Sequence, residues 1–281
     1  MGTDRVAVIT GTTHGIGQVT ALELARAGCT VVMLCRNVDA ARSFGATLSA
    51  QTRSPTPDVI ACDLASLASV RAAAEAVRRR YAVLSLLVNN AGMVTTRHRL
   101  SPDGLELTFA TNHLGPFLLT ELLRDRLAPQ GRIVTVASRI HYRGALHLEA
   151  IRDPRARFNA RAAYAQSKLA NVMHTFALAR RLEGTSVTVN CLHPGVVATN
   201  LLPRWLRLIK PLITPVMLDA VRGAQTTLHL ALSPAVAGIS GCYFDEHQQV
   251  QLASAEARDI ALQEALWEYS VSQASLAERA C

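Results

Sequence analysis

Seven short apolar runs alternate with amphipathic stretches from one end of this chain to the other, and that alternation limits what it can fold into. The runs are Val6–Thr10, Thr30–Cys35, Val59–Ala61, Leu84–Asn89, Arg132–Ala137, Ser186–Cys191 and Gly241–Phe244. They are β-branched and apolar at successive rather than alternate positions, as strands covered on both faces should be. The stretches between them, predicted as helices, are Ile16–Ala27, Asp39–Ala50, Leu67–Tyr81, Gly104–Leu127, Ala162–Leu182, Asp219–Leu232 and Ser254–Ser270. Gly28 and Gly184 stand where helix-ending glycines belong. Strands joined through helices of this length pair in parallel by right-handed crossovers. The expectation is an α/β fold: a doubly wound parallel sheet of about seven strands with helices on both faces. The 281 residues show no repeat, linker or low-complexity tract, so one domain spanning 1–281 is expected.

Composition narrows the function. Apolar residues make up 49% of the chain, enough to bury a core. Six cysteines are scattered singly, without CxxC or Cys/His clusters, which suggests neither a zinc site nor a disulfide framework and suits a reducing compartment. The first strand begins almost at Met1, leaving no room for a signal peptide, and no apolar run reaches membrane-spanning length. A soluble, cytoplasmic protein is expected. The net charge of +8 comes from dispersed arginines, many near helix C-termini, where they complement the dipole. Nucleic acid binding would gather them into a stripe with aromatics, so no nucleic acid partner is expected. An anionic cofactor or membrane surface is a better match for the charge.

The first strand runs into Thr10-Gly11-Thr12-Thr13-His14-Gly15-Ile16-Gly17 and then directly into a helix. Glycines there let the backbone approach a pyrophosphate, and a helix N-terminus offers free N–H groups and positive potential. The spacing is GxxxGxG rather than the GxGxxG of the usual dinucleotide fingerprint. After the second strand, where NAD binders place an acid, this chain has Arg36-Asn37 and no acid until Asp39. One charge-assisted hydrogen bond from Arg36 to a 2′-phosphate is worth roughly 1.5–3 kcal/mol, about 10- to 100-fold in preference for NADP(H) over NAD(H). Further on, Tyr164-Ala165-Gln166-Ser167-Lys168 puts a phenol and an ammonium one turn apart on one helix face. This is either a solvated surface pair or a catalytic device.

Taken with Asn89-Asn90-Ala91-Gly92 after the fourth strand and Ser138 after the fifth, these motifs resemble the short-chain dehydrogenase/reductase family, which has a Rossmann-type fold. Thr111-Asn112-His113-Leu114-Gly115-Pro116-Phe117, Ser167-Lys168-Leu169-Ala170-Asn171, His193-Pro194-Gly195 and Gly223-Ala224-Gln225-Thr226-Thr227 are similar to its retinol dehydrogenase branch. The resemblance implies a catalytic tetrad of Asn112, Ser138, Tyr164 and Lys168. It implies that Gly11, Thr13, His14, Gly15, Ile16 and Gly17 border the cofactor's phosphates, with Arg36 and Asn37 at its adenosine ribose. Asp63 and Leu64 would meet the adenine, and Asn90, Ala91 and Gly92 the ribose side. Pro194, Gly195, Val197 and Thr199 would hold the nicotinamide end, beside Tyr164 and Lys168.

The chemistry then accounts for the tyrosine–lysine pair. Bringing a phenol from about 10 to about 7 requires roughly 4 kcal/mol of differential stabilisation, at about 1.36 kcal/mol per pH unit. A nearby ammonium and an oxidised nicotinamide ring are suited to supply it in a dry site. Ser138 would position the substrate oxygen, and the resemblance implies that Asn112 holds a water that relays protons from Lys168. The long segment 139–159 between Ser138 and Tyr164 reads as a loop beside the site. His141 and His147 within it lack a third ligand at suitable spacing, so no metal is expected. His14 and His193 accompany backbone turns. Residues 200–222 are apolar, with Trp205, Leu212 and Met217 among Arg204, Arg207 and Lys210, and the resemblance implies a substrate lid in this position. Such a lid suits a hydrophobic alcohol or carbonyl compound, and 200–218 also permits peripheral membrane contact. Family members often form homodimers or homotetramers, so the last helix either covers the sheet or joins subunits. The alternatives are a carbon–carbon double-bond reductase of the same fold and a non-catalytic NADP-binding regulator.

Overall fold

The structure, a computed structural model, describes residues 5–153, 157–195 and 219–276. Its sheet contains β1 (Arg5–Thr10), β2 (Cys29–Cys35), β3 (Asp58–Ala61), β4 (Leu84–Asn89), β5 (Leu127–Val136), β6 (Thr188–Leu192), β7 (Tyr243–Phe244) and β8 (Val250–Gln251). The spatial order is β3-β2-β1-β4-β5-β6-β7-β8. All neighbours are parallel except β7 and β8, which pair antiparallel. The sheet is therefore mixed and has one strand more than expected. The extra one is only two residues long, too short to show a period in sequence.

Alternate residues of the central strands feed two separate cores, which is why the strands read as continuous apolar runs. Val6 and Val8 of β1, with Leu84 and Leu87 of β4, face one layer of helices. Ala7 and Ile9, with Leu86 and Val88, face the other. The first layer holds α3 (Leu67–Arg80), α5 (Gly115–Leu123), α6 (Ala160–Arg181) and α9 (Ile260–Gln273). The second holds α1 (Gly15–Arg26), α2 (Val38–Thr52) and α7 (Ala220–Leu232).

Two predicted helices differ in the structure. The run expected over 104–127 begins as α4 (Leu107–Phe109), widens into a π-turn (Ala110–Leu114), and resumes as α5. Pro116 explains the widening. It has no N–H for the carbonyl of Asn112, four residues back, so the ladder slips and Gly115 N–H bonds Ala110 O instead. The tail expected as one helix over 254–270 is two, α8 (Ala255–Arg258) and α9, broken at Asp259, whose carboxylate caps α9 at Leu262 N. Helix α9 covers neighbouring helices rather than the sheet. Trp267 meets the Phe117 ring edge-on at 5.1 Å and stacks under the Arg181 guanidinium at 3.9 Å. Among the described residues, no helix is long and apolar enough to cross a membrane.

Candidate active site

The strand order reverses between β1 and β4, and in open α/β sheets the crevice at the carboxyl ends of such a pair is the ligand site. The glycine turn follows β1, and Asn90–Gly92 follows β4. Gly11 and Gly15 have φ of +72° and +62°, which side chains disfavour. A Cβ at Gly17 would lie 2.2 Å from Gly11 O and 2.3 Å from Asn90 Nδ2, so only glycine closes this turn. His14 occupies the N-cap of α1 without a side-chain capping bond, and the first turn carries no acid. Its ring instead meets Thr13 Oγ1 at 3.0 Å. Ile16 is buried. The uncapped N–H groups beside a glycine cradle fit a pyrophosphate.

The remaining cofactor candidates divide between facing the crevice and bracing it. Arg36 is exposed at the end of β2. Asn37 caps α2, its Oδ1 accepting from Ala40 N at 3.0 Å. Asp63 turns the chain after β3, its Oδ1 accepting from Ala65 N at 3.0 Å, and Leu64 beside it is buried against Gly115. Asn90 acts through the turn it braces, because its Nδ2 donates to Thr10 O at 2.8 Å and to Gly11 O at 3.1 Å. Thr10 Oγ1 accepts from the N–H groups of Asn90 and Ala91, each at 3.0 Å. Pro194 and Gly195, the latter at φ +82°, follow β6. Val197, Thr199 and residues 200–218, with the lid and membrane-contact readings placed on them, lie outside the described residues. Residues 219–222 belong to the start of α7, which Asp219 caps.

The four catalytic candidates converge beside this crevice. Lys168 is only 3% exposed and donates through Nζ to Val136 O at 2.7 Å. That carbonyl ends β5, two residues before Ser138. Tyr164 sits one turn earlier on α6, with Lys168 Nζ 5.8 Å from its ring centre. Ser138 hydrogen-bonds the Tyr164 phenol. Asn112 Oδ1 accepts from Met93 N at 2.7 Å, while its Nδ2 donates to Met93 O at 2.9 Å and Ser167 Oγ at 3.0 Å. Ser167 Oγ in turn donates to Tyr164 O at 2.8 Å. A Cβ placed on Gly92 would lie 3.5 Å from both Asn112 Oδ1 and Lys168 Nζ, so these polar atoms border one point. The tyrosine–lysine pair is thus no solvated surface pair.

Burial dominates the electrostatics of the site. Desolvation pushes the Tyr164 phenol up to about 12, against the Ser138 hydrogen bond, which pulls it down. Desolvation pushes the Lys168 ammonium down to about 8. Burial thus raises the phenol and lowers the ammonium alike, each in the direction that disfavours its charged form. The side-chain amide of Asn112 has both protons engaged, so a water held by this residue would sit on another of its atoms. Pro116 leaves that residue's carbonyl without its regular helical donor, which makes the carbonyl the better candidate.

Four histidines are buried in ways the sequence did not show. His141, expected in a loop, is fully buried, with Nδ1 at 2.8 Å from Ser138 O. Its segment forms 3₁₀ turns at Arg139–Arg143 and Glu149–Ile151 that pack back on the body, with Ile151 1% exposed. His113 and His174 lie buried between α5, α6 and α9, their rings 6.0 Å apart. Desolvation pulls His113 down to about 3, and His174 in the same direction. His193 is buried too and is pulled down to about 4. The signal for His113 was its place beside Pro116; nothing in sequence marked His174. Among the described residues, no three His, Cys, Asp or Glu side chains converge as a metal site.

A glycine cradle at a topological switch point, next to a buried tyrosine–lysine pair, is the arrangement of an oxidoreductase of alcohol and carbonyl groups that uses a nicotinamide dinucleotide. The sequence profile described as short chain dehydrogenase matches residues 5–207, and the chain belongs to that family. Within it the chain is retinol dehydrogenase-like. It is 39% identical to human retinol dehydrogenase 14, over 95% of this chain and 85% of that one. It is 42% identical to bovine dehydrogenase/reductase SDR family member 13, over 97% of this chain and 74% of that one. A crystal structure of an uncharacterised protein from Mycobacterium paratuberculosis superposes with a TM-score of 0.80 at 35% identity, covering 96% of this chain and 93% of that one.

Proposed function

We propose that this protein is an NADP(H)-dependent oxidoreductase that interconverts a hydrophobic alcohol and its aldehyde or ketone. The observation that supports it most is the meeting of Asn112, Ser138, Tyr164 and Lys168 around the crevice that the glycine turn opens. In this reading the turn from Gly11 to Gly17 holds the pyrophosphate, Asp63 and Asn90–Gly92 border the nucleoside, and Arg36 meets a 2′-phosphate. The cofactor supplies the hydride when bound. Ser138 Oγ donates to the substrate oxygen and sets its distance from the Tyr164 hydroxyl. Tyr164, neutral at pH 7, gives its proton to the oxygen in reduction and takes it back in oxidation. Lys168, held at Val136 O, stabilises the phenolate formed in between. A water on the Asn112 carbonyl returns the proton toward Lys168.

The preference for NADP(H) rests on Arg36, exposed at the end of a strand that carries no acid there. The apolar substrate rests on the composition of 200–218 and on relatives named as retinol dehydrogenases. The dispersed positive charge and that same segment suit an aqueous compartment with peripheral contact to anionic membranes.

The test is oxidation of NADPH against a panel of apolar aldehydes and ketones, with NADH alongside and Arg36→Ala as variant. Turnover with NADPH, weaker with NADH and about 10-fold or more weaker in the variant with NADPH alone, is the expected result. Equal use of both cofactors by the wild type overturns the specificity, and absence of turnover with any carbonyl overturns the reaction.

A further inference from the structure

We propose that His141 and His113 are positioning residues that pin two catalytic turns to the C-terminal segment 254–273, so that docking of this segment sets the geometry of Ser138 and Asn112. The inference rests on the oxidoreductase reading above. His141 sits three residues after Ser138 and is 0% exposed. Its Nδ1 lies 2.8 Å from Ser138 O and its Nε2 3.3 Å from Ser254 N. The carbonyl can only accept and the backbone N–H can only donate. The ring is therefore the neutral Nδ1–H tautomer, donating to Ser138 and accepting from Ser254, with no hydrogen-bonding capacity left over. Tyr243 meets it edge-on at 4.6 Å and Tyr142 lies against it at 4.1 Å. Ser254 is the N-cap of α8, its Oγ accepting from Ala257 N at 3.2 Å.

His113 repeats the arrangement at the other catalytic turn. It follows Asn112 in the π-turn and is 1% exposed. Asn112 reaches toward Met93 and Ser167, whereas His113 Nε2 lies 2.9 Å from Ser270 Oγ on α9. Ser270 Oγ donates to Leu266 O at 2.7 Å, so its oxygen accepts from the histidine Nε2–H. Phe109 at 4.9 Å, His174 at 6.0 Å and Phe117 at 6.1 Å enclose the ring. A π-turn lacks the regular i→i−4 ladder that fixes an α-helix, so an outside anchor matters more there. In both places a catalytic residue aims into the site while a nearby histidine anchors to the same C-terminal segment. Neither histidine need touch substrate. A packing role alone would be served by phenylalanine, which lacks both nitrogens.

Misplacement of a catalytic group by about 1 Å costs roughly 100-fold in rate, so losing either anchor should act on turnover more than on binding. The experiment compares wild type with His113→Phe, His113→Gln, Ser270→Ala and His141→Phe, using NADPH and an apolar aldehyde that the wild type reduces. Expected is a fall in kcat of about 10- to 100-fold in both phenylalanine variants, with NADPH affinity within about twofold of wild type. His113→Gln, which restores an N–H near the Nε2 position, should recover much of the loss, and Ser270→Ala should share part of it. Hydrogen–deuterium exchange on the same proteins is read in parallel and does not depend on turnover. It should rise in residues 107–123 for His113→Phe and in 136–144 for His141→Phe, with 38–52 on the opposite face of the sheet unchanged. Unchanged kcat, or exchange unchanged in both turns, overturns the proposal. So does a loss of kcat, cofactor affinity and thermal stability together that glutamine does not relieve. A wild type without turnover would count against the oxidoreductase reading, and the exchange result would still decide the anchoring.

Discussion

Acid should destabilise this protein well before its carboxylates protonate, because it buries neutral histidines. His113 is held at about 3 and His193 at about 4, each by desolvation, against about 6.5 in the unfolded chain. Above pH 6.5 both states are neutral and these groups contribute nothing to the pH dependence. Below it the unfolded chain takes up protons that the folded one refuses, so stability falls until the folded value is reached. At about 1.36 kcal/mol per pH unit, lowering the pH to 5 costs about 2 kcal/mol for each residue, or about 4 kcal/mol together. His174 shifts in the same direction, through desolvation and then the charges of His113, Arg181 and Arg124, and adds to the loss. Against a typical total of about 5–15 kcal/mol, this is a large fraction. Urea unfolding at about pH 7 and pH 5 measures it directly. The His113→Gln variant should start less stable at pH 7 but lose about 2 kcal/mol less on acidification. Equal midpoints at both pH values, or an equal loss in the variant, would refute the reasoning.

Three further outcomes follow from the geometry. Gly17→Ala would drive a methyl to 2.2 Å from Gly11 O, so the turn must open and cofactor affinity should fall at least about 100-fold by fluorescence titration, with the fold retained by circular dichroism. Carbonyl reduction should decline as pH rises through about 8, because Lys168 loses its charge there and Tyr164 its stabilising partner. A pH–rate profile flat to about 10 would remove the lysine from that role. Asn159 caps α6 by accepting from Arg161 N and Ala162 N, both at 3.0 Å. Asn159→Ala should cost about 1 kcal/mol in denaturant unfolding, since α6 is the helix that carries Tyr164 and Lys168.

The doubly wound fold was legible because its central strands are buried on both faces and so read as unbroken apolar runs. The pairing of β7 with β8 was not, since two-residue strands carry no period. The meeting of the four catalytic candidates was legible because Tyr164 and Lys168 share a helical spacing and Ser138 closes a strand. The π-turn at Asn112 was hidden by the assumption of a continuous helix, although Pro116 four residues on was the physical cause in plain view. The bracing role of Asn90 at the glycine turn was not legible, because a turn's need for such amides is visible only when β1 and β4 lie side by side. His141 looked like a loop residue since its partners, Ser138 O and Ser254 N, are a backbone carbonyl and a residue far along the chain. Desolvation of the Tyr164 phenol was likewise beyond spacing arguments, since burial depends on what α6 packs against.

The central claim is that hydride passes from the cofactor to a carbonyl carbon while Tyr164 delivers the proton. Reduction of an apolar aldehyde with NADPH carrying deuterium at the transferable C4 position, by wild type and by Tyr164→Phe, tests it most directly. Expected are one deuterium on the carbinol carbon of the product with wild type, and at least about 1,000-fold less product from the variant although it still binds NADPH. Deuterium at a former carbon–carbon double bond, or undiminished turnover by Tyr164→Phe, would contradict it.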